Sequence, residues 1–275
     1  MLEYPNFDPV AFSIGPFGGF GPIRVHWYGI MYLVGFVAGW WLARRRAKQP
    51  GSTWKPVDVD DLIFFAALGV ILGGRIGWAL IYGHDALVEN PLAIFRIWEG
   101  GMSFHGGLIG VMIAIAVFAR LRGRAVADVF DFTAPLPCLG LLFGRIGNFI
   151  NNELWGKTTD VPWGVLVNGE VRHASQLYEA FLEGLVLFVV LWIFTAKPRP
   201  RLAPSGLFLV LYGVFRSAVE FVRVPDDYMG DQGYIAFGWL TTGQLLSLPM
   251  ILVGLAMLAW AYRRRVPSGN FAVAT

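Results

Sequence analysis

Residues 61–82 read DLIFFAALGVILGGRIGWALIY. Beyond Asp61 at its edge, the run carries a single charge, Arg75. At 1.5 Å per residue a helix over this stretch is about 33 Å long, enough to cross the hydrocarbon core of a bilayer, which needs about 20 apolar residues. Six further runs have the same character. With 61–82 they give seven expected spans: Val25–Ala43, Asp61–Tyr82, Phe104–Ala119, Val129–Ile150, Leu177–Ala196, Leu207–Val224 and Thr241–Tyr262.

The composition agrees. Of 275 residues, 56% are hydrophobic and 15% charged, and the mean hydropathy is +0.55. Ordinary soluble domains carry about 25% charged residues. This chain has too little polar surface to cover a core of its size, which excludes a soluble globular enzyme, a disordered chain and a disulfide scaffold. The lone cysteine, Cys138, lies in an apolar run and reads as a small core residue. The first 20 residues have neither a basic start nor a long apolar stretch, so they do not read as a secretory signal. The expected fold is all-α: a polytopic membrane protein of seven transmembrane helices, one membrane-embedded domain over residues 1–275, with a small irregular cap on its outer face at residues 151–175.

The net charge of +3 is explained by topology rather than by nucleic acid. Fourteen of the 22 basic residues follow the odd-numbered spans, in clusters such as Arg44-Arg45-Arg46, Arg120/Arg122/Arg124 and Arg263-Arg264-Arg265. Short basic loops stay cytoplasmic. The N-terminus is therefore expected outside and the C-terminus inside. The outer segments are longer and rich in Trp, Asn, Gly and Asp; in 151–175, Gly and Asn turn signals point to a small irregular or hairpin cap.

Three arginines, Arg75, Arg145 and Arg216, fall inside outward-running spans. An intramembrane arginine costs about 2.5–3.5 kcal/mol on insertion scales, so each needs a partner or a cavity. Glu220 follows Arg216 by one helical turn, Glu179 and Glu183 share a face of the fifth span, and Glu153 lies just beyond Arg145. Buried pairs that hold helices in register explain any one of them. Three guanidinium groups at similar depth in the outer half point instead to an anionic ligand, the nearest abundant one being a phospholipid head group. Arg75 and Arg145 both sit in a G-R-I-G tetrapeptide. His105, in F-H-G-G, opens the third span, where an imidazole can act as a base near neutral pH.

These residues resemble a known family. Residues 144–156, GRIGNFINNELWG, are similar to the signature of the prolipoprotein diacylglyceryl transferases. So are H-W-Y-G at 26–29, F-H-G-G at 104–107, R-H-A-S-Q-L-Y-E at 172–179, the Gly213–Arg216–Glu220–Arg223 run and T-T-G-Q at 241–244. The likeness spans nearly the whole chain in order. Ala174 departs from it, standing where the family often has Pro, which touches the rigidity of the entry to the fifth span.

The resemblance implies an enzyme of the bacterial inner membrane, with its N-terminus periplasmic and its C-terminus cytoplasmic. It implies transfer of the sn-1,2-diacylglyceryl group from phosphatidylglycerol to the lipobox cysteine of a prolipoprotein, forming a thioether and releasing glycerol phosphate. The partners are then phosphatidylglycerol, the prolipoprotein signal peptide and the bilayer; no nucleic acid, cofactor or metal is expected. In that frame Arg145 and Arg216 bind the phosphate and stabilise its developing charge. Asn148, Gly156 and Tyr212 join them at the lipid, and Glu220 and Arg223 support them. His105 is the candidate base for the thiol, with Tyr28, Tyr212 and Glu153 as alternatives. Two rivals remain at this stage: a transporter for an anionic small molecule, and a lipid-binding assembly factor without turnover.

Overall fold

The computed structural model describes the chain except residues 1, 17, 19, 20, 84–86, 89, 97–99, 226–233 and 273–275. Each of the seven apolar runs is helical. Helix α1 covers Trp27–Ala47, α2 Pro56–Ile81, α3 Phe104–Leu121, α4 Val126–Thr133, α5 Pro137–Ile150, α6 Ser175–Phe194, α7 Ala203–Val219 and α8 Thr242–Arg264. Among the described residues, α2, α3, α6 and α8 are long and apolar enough to cross a membrane, and the pair α4 and α5 makes a fifth if counted as one broken span. The expected single helix over 129–150 is thus interrupted. The physical reason is the Ala134-Pro135-Leu136-Pro137 step: proline lacks the N–H for the helical ladder and its ring crowds the preceding turn. Pro137 sits at the first turn of α5, where a missing N–H costs nothing. Helix α1 has 21 residues but is diluted by Trp and Tyr, and α7 has only 17.

The chain divides into two compact units, residues 1–41 with 133–267 and residues 42–132 with 268–275. In the first, α5 packs on α6 through Gly184, where a Cβ would lie 2.6 Å from Leu142 Cα, and on α1 through Gly35, 3.0 Å from Leu139 O. Helices α7 and α8 close on each other at Gly206 and Gly254. Cys138 is buried with Leu187 and Leu191, as a small core residue should be. Strands β4 (Val165–Val167) and β5 (Glu170–Arg172) form a hairpin. Its two-residue turn is Asn168-Gly169, with φ of 49° and 84°, the left-handed pair that matches strand twist. Strand β1 (Leu2–Glu3) runs parallel to β4. Next to it, Tyr4 donates its hydroxyl between the carbonyls of Phe149 (3.0 Å) and Ile150 (2.9 Å), tying the N-terminal segment to the end of α5. Strands β2 (Val10–Ile14) and β3 (Ile23–His26) make a second hairpin that leads into α1.

In the second unit α2 and α3 meet along a glycine seam. A Cβ on Gly110 would stand 2.1 Å from Gly69 O, and one on Gly106 2.4 Å from Gly73 O. Small residues let helices approach where lipid supplies no hydrophobic drive. The C-terminal segment closes this unit: Asn270 accepts from Trp54 Nε1 (2.8 Å) and donates to Asp128 O (2.7 Å).

The seam makes a prediction. Gly110→Val forces the two backbones apart and should cost several kcal/mol, lowering the yield of folded protein and its melting temperature in detergent. Gly140→Ala, a site with nothing within 4 Å of the added carbon, should change stability by no more than about 1 kcal/mol. Equal melting temperatures for both variants would contradict the seam.

Candidate functional site: three arginines on one carboxylate

The first unit contains a buried ionic cluster centred on Glu179. That carboxylate, 1% exposed, ends the first turn of α6. The next seven residues, Ala180–Val186, wind as a π-helical turn, a wide form found often at functional sites. Three guanidinium groups converge on Glu179: Arg145 Nε at 2.5 Å, Arg216 Nη1 at 3.0 Å and Arg223 Nε at 3.4 Å. The Arg145 contact is an ion pair without hydrogen-bond alignment, so Oε2 has no aligned donor. Glu220, at the end of α7, forms the second node. It pairs closely with Arg216, contacts Arg223 Nη1 at 3.5 Å and accepts from Thr241 Oγ1 at 2.7 Å. Thr241 also caps α8 in a reciprocal box with Gln244. Gly243 leaves the room Glu220 needs, since a Cβ there would lie 2.5 Å from the carboxylate.

A polar chain extends the cluster along α5. Arg145 Nη1 reaches Asn148 Oδ1 at 3.4 Å, and Asn148 Nδ2 donates to Glu153 Oε1 at 2.7 Å. Glu153 therefore acts on Arg145 through Asn148 rather than directly. Gln176 Nε2 and Ser175 Oγ hold the Glu153 and Leu154 carbonyls. Gly156 is a backbone crossing: its N–H donates to His173 O (2.9 Å), and an added Cβ would stand 2.5 Å from Val222 O. The space left by its missing side chain is filled by protein, one residue from Arg223. Tyr28 lies against Gly147, with its hydroxyl 3.1 Å from that of Tyr32. Tyr212 stacks on Phe208 within electrostatic reach of Arg216 and Arg145.

Of the expected residues, Arg145, Asn148, Glu153, Arg216, Glu220 and Arg223 are brought into one network. His105, the second residue of α3, belongs to the other unit and is exposed, edge-on to Phe104. The third arginine on these carboxylates is Arg223. Arg75 is taken up by backbone carbonyls of its own unit. Sequence reasoning left Glu179, the hub, outside the site. Its signal was an acidic pair at i and i+4 inside an apolar span. Glu183, the other member, is fully buried, within electrostatic reach of all three cluster arginines, and neither of its oxygens has a hydrogen-bond partner among the described residues.

The donor count decides what the cluster can do. Among the described residues, Arg145 Nη2 and Arg216 Nε make no hydrogen bond. A guanidinium offers five N–H donors in a planar fork, so these two side chains hold the carboxylates without using every donor they have. Arg145 is the most open of the three, at 22% side-chain exposure against 13% for Arg216 and 9% for Arg223.

Fold and site define a helical, multi-pass membrane protein with a buried cluster of three arginines on two carboxylates. A sequence profile described as prolipoprotein diacylglyceryl transferase matches residues 9–260. The chain is 56% identical to a phosphatidylglycerol–prolipoprotein diacylglyceryl transferase of Oleidesulfovibrio alaskensis, over 96% of each chain. It is 54% identical to the protein of that name from Pseudomonas aeruginosa PAO1, over 96% of this chain and 97% of the other. It is 55% identical to that from Chromohalobacter salexigens, over the full length of both. The chain belongs to the prolipoprotein diacylglyceryl transferase family.

The segment beside Gly156 carries a pH prediction. Burial holds the His173 imidazole below its ordinary value, with Nδ1 3.2 Å from the Tyr178 hydroxyl. The folded state thus favours the neutral ring. Its contribution to stability is complete above the unfolded value of about 6.5 and is lost as pH falls through the folded one. Hydrogen exchange in β4 and β5, corrected for intrinsic rate, should be faster at pH 5.5 than at pH 7.5. His173→Asn should remove the difference, and an unchanged difference would assign it to another group.

Proposed function

We propose that this chain transfers the diacylglyceryl group of phosphatidylglycerol to the lipobox cysteine of a prolipoprotein. The observation that carries the reading is the pair Arg145 and Arg216, anchored on Glu179 with donors to spare. The full-length likeness to enzymes of that name supplies the substrates.

The chemistry follows from the charge. The cysteine sulfur attacks the sn-3 carbon of the diacylglycerol part, a C–S bond forms and the C–O bond to phosphate breaks. Negative charge gathers on the departing phosphate oxygen. Arg145 Nη2 and Arg216 Nε meet it with N–H groups whose carriers are already fixed by Glu179, Glu220 and Asn148, so little reorganisation is needed at the moment of reaction. The glycerol phosphate leaves with the charge, and the thioether stays in the bilayer with its acyl chains. The thiol loses its proton before or during attack, because the thiolate is the nucleophile. His105 is assigned that proton on the chemistry of its ring, with Tyr28, Tyr212 and Glu153 as the alternatives. Asn148, Gly156 and Tyr212 belong to the lipid site, and Glu220 and Arg223 hold the arginines in place.

In this reading the chain sits in the bacterial inner membrane as one catalytic domain capped on the periplasmic side by residues 151–175. It crosses seven times, with α1, α7 and the broken α4–α5 pair joining the four long helices. The basic clusters that follow α1, α3, α6 and α8 support a cytoplasmic C-terminus and a periplasmic N-terminus.

Purified protein given phosphatidylglycerol labelled in its diacylglycerol part should label a lipobox peptide and release glycerol phosphate. A peptide with Cys→Ala should stay unlabelled. Arg145→Ala should reduce turnover by at least about 10²–10³-fold with insertion intact. Arg216→Lys should also fail, because an ammonium cannot hold Glu179, Glu220 and a phosphate in one plane. Wild-type rates in either variant would remove that arginine from the site.

A further inference from the structure

Arg75 and Arg145 occupy the same G-R-I-G tetrapeptide, but their surroundings are opposite. Arg145 keeps donors unused. Every donor of Arg75 is spent. Its Nε donates to Ile94 O at 2.8 Å; Nη1 donates to Gly100 O at 2.5 Å and Gly101 O at 2.9 Å; Nη2 donates to Ala93 O and, at 3.1 Å, to Arg96 O. Five N–H groups meet five carbonyls, and the flat face of the guanidinium lies 4.2 Å from the Trp78 ring. Nothing remains for a phosphate.

The carbonyls all belong to the outer segment between α2 and α3. Three come from the end of the 3-10 turn Pro91–Phe95 and the residue after it, where Ala93 O also accepts from Arg96 N–H and a cation beside the carbonyls is favoured. Two come from Gly100 and Gly101, both with left-handed φ, at 84° and 82°. A Cβ on Gly101 would lie 2.5 Å from Trp78, so the glycine is needed for the segment to pass over the ring. Two residues later Ser103 N–H donates to Gly74 O at 2.9 Å, and Ser103 Oγ accepts from Gly106 N at 3.2 Å, which starts α3. Gly106 is pressed against Gly73 and Gly77 of α2. His105 lies between Ser103 and Gly106, so its place is set by where this segment ends.

We propose that Arg75 is a positioning residue: it gathers the outer segment onto α2, fixes the start of α3 and so sets the place of His105, and it does not bind the phosphate. The inference rests on the reading of His105 as the thiol's proton acceptor. Lysine cannot substitute, having three donors and no plane with which to meet five carbonyls and stack on Trp78.

The test uses the full-length protein in nanodiscs containing phosphatidylglycerol, with Arg75→Ala, Arg75→Lys, His105→Asn and the double variant Arg75→Ala/His105→Asn. Turnover of a lipobox peptide, KM for phosphatidylglycerol and the rate at which diethyl pyrocarbonate modifies His105 are measured. Arg75→Ala should lower kcat by about 10–100-fold and leave KM for the lipid within about twofold of wild type. Arg75→Lys should not rescue it. The double variant should be no slower than His105→Asn alone, because both changes act on one group. The modification rate of His105 should change severalfold. A raised KM with unchanged kcat would make Arg75 a ligand of the lipid and overturn the proposal, as would fully additive losses in the double variant. If His105→Asn keeps wild-type activity, the reading of His105 fails by itself. The modification rate then still decides whether Arg75 places that ring, and an unaltered rate overturns the proposal. Should Arg75→Ala not insert, Arg75→Lys, which keeps the charge, is put through the same measurements.

Discussion

Three guanidinium groups share one carboxylate, and that sharing organises the first unit. Glu179 comes from α6, Arg145 from α5, Arg216 from α7 and Arg223 from the chain just beyond α7. Each arginine is expensive where lipid surrounds the helices, at about 2.5–3.5 kcal/mol on insertion scales. Charge-assisted hydrogen bonds offset part of that cost. Yet apolar residues of the same volume often hold helices together as well as buried ion pairs do, or better. A cluster of this size is therefore poorly explained as a fastener. Among the described residues, both oxygens of the buried Glu183 lack a hydrogen-bond partner, a penalty that a purely structural cluster has no reason to carry.

The glycines of this unit follow from the cluster. Gly243 is needed because Glu220 must reach past the start of α8 to Arg216. Gly184 brings α6 against Leu142 of α5, which sets Glu179 beside Arg145. Gly156 lets the strand-like segment after Glu153 pass over Val222 and His173, next to Arg223. At Gly184 and Gly156 a methyl group would push apart backbones that carry the ionic network, and at Gly243 it would displace the Glu220 carboxylate itself. The electrostatics dictates which side chains must meet, and the small residues permit the approach.

Much of this was legible in the sequence, for reasons that can be named. Apolar runs mark helices because the backbone must satisfy itself in lipid, and all seven runs are helical. Asn168-Gly169 announced the hairpin through its left-handed turn. The interruption of 129–150 was also written there, in Pro135 and Pro137, but hydropathy alone reads through prolines. Partner choice was another matter. Arg216 and Glu220 are one turn apart and pair as local spacing suggests. Glu179 collects arginines from two other helices and a loop, and no local pattern encodes that. Arg75 and Arg145 make the limit plain. Their tetrapeptides are identical, and their fates are set by what the fold brings to them: five carbonyls in one case, a carboxylate and an asparagine in the other.

The geometry also bears on how binding and catalysis divide. Arg145 and Arg216 spend part of their fork on Glu179, which fixes their orientation before any ligand arrives. The remaining donors are too few to surround a phosphate and sit on side chains that cannot swing freely. Such a site gains little from gripping a singly charged phosphodiester tightly. It gains more as charge builds on the leaving oxygen, because fixed cations in a poorly screened environment interact most strongly with the species of highest charge. An arginine pair free of carboxylates would bind lipid head groups more tightly and hold the product as well. In the proposed reading, anchoring the pair on Glu179 moderates ground-state affinity while leaving the preorganised response to developing charge in place, which is the division an enzyme needs when its substrate is an abundant component of the surrounding bilayer.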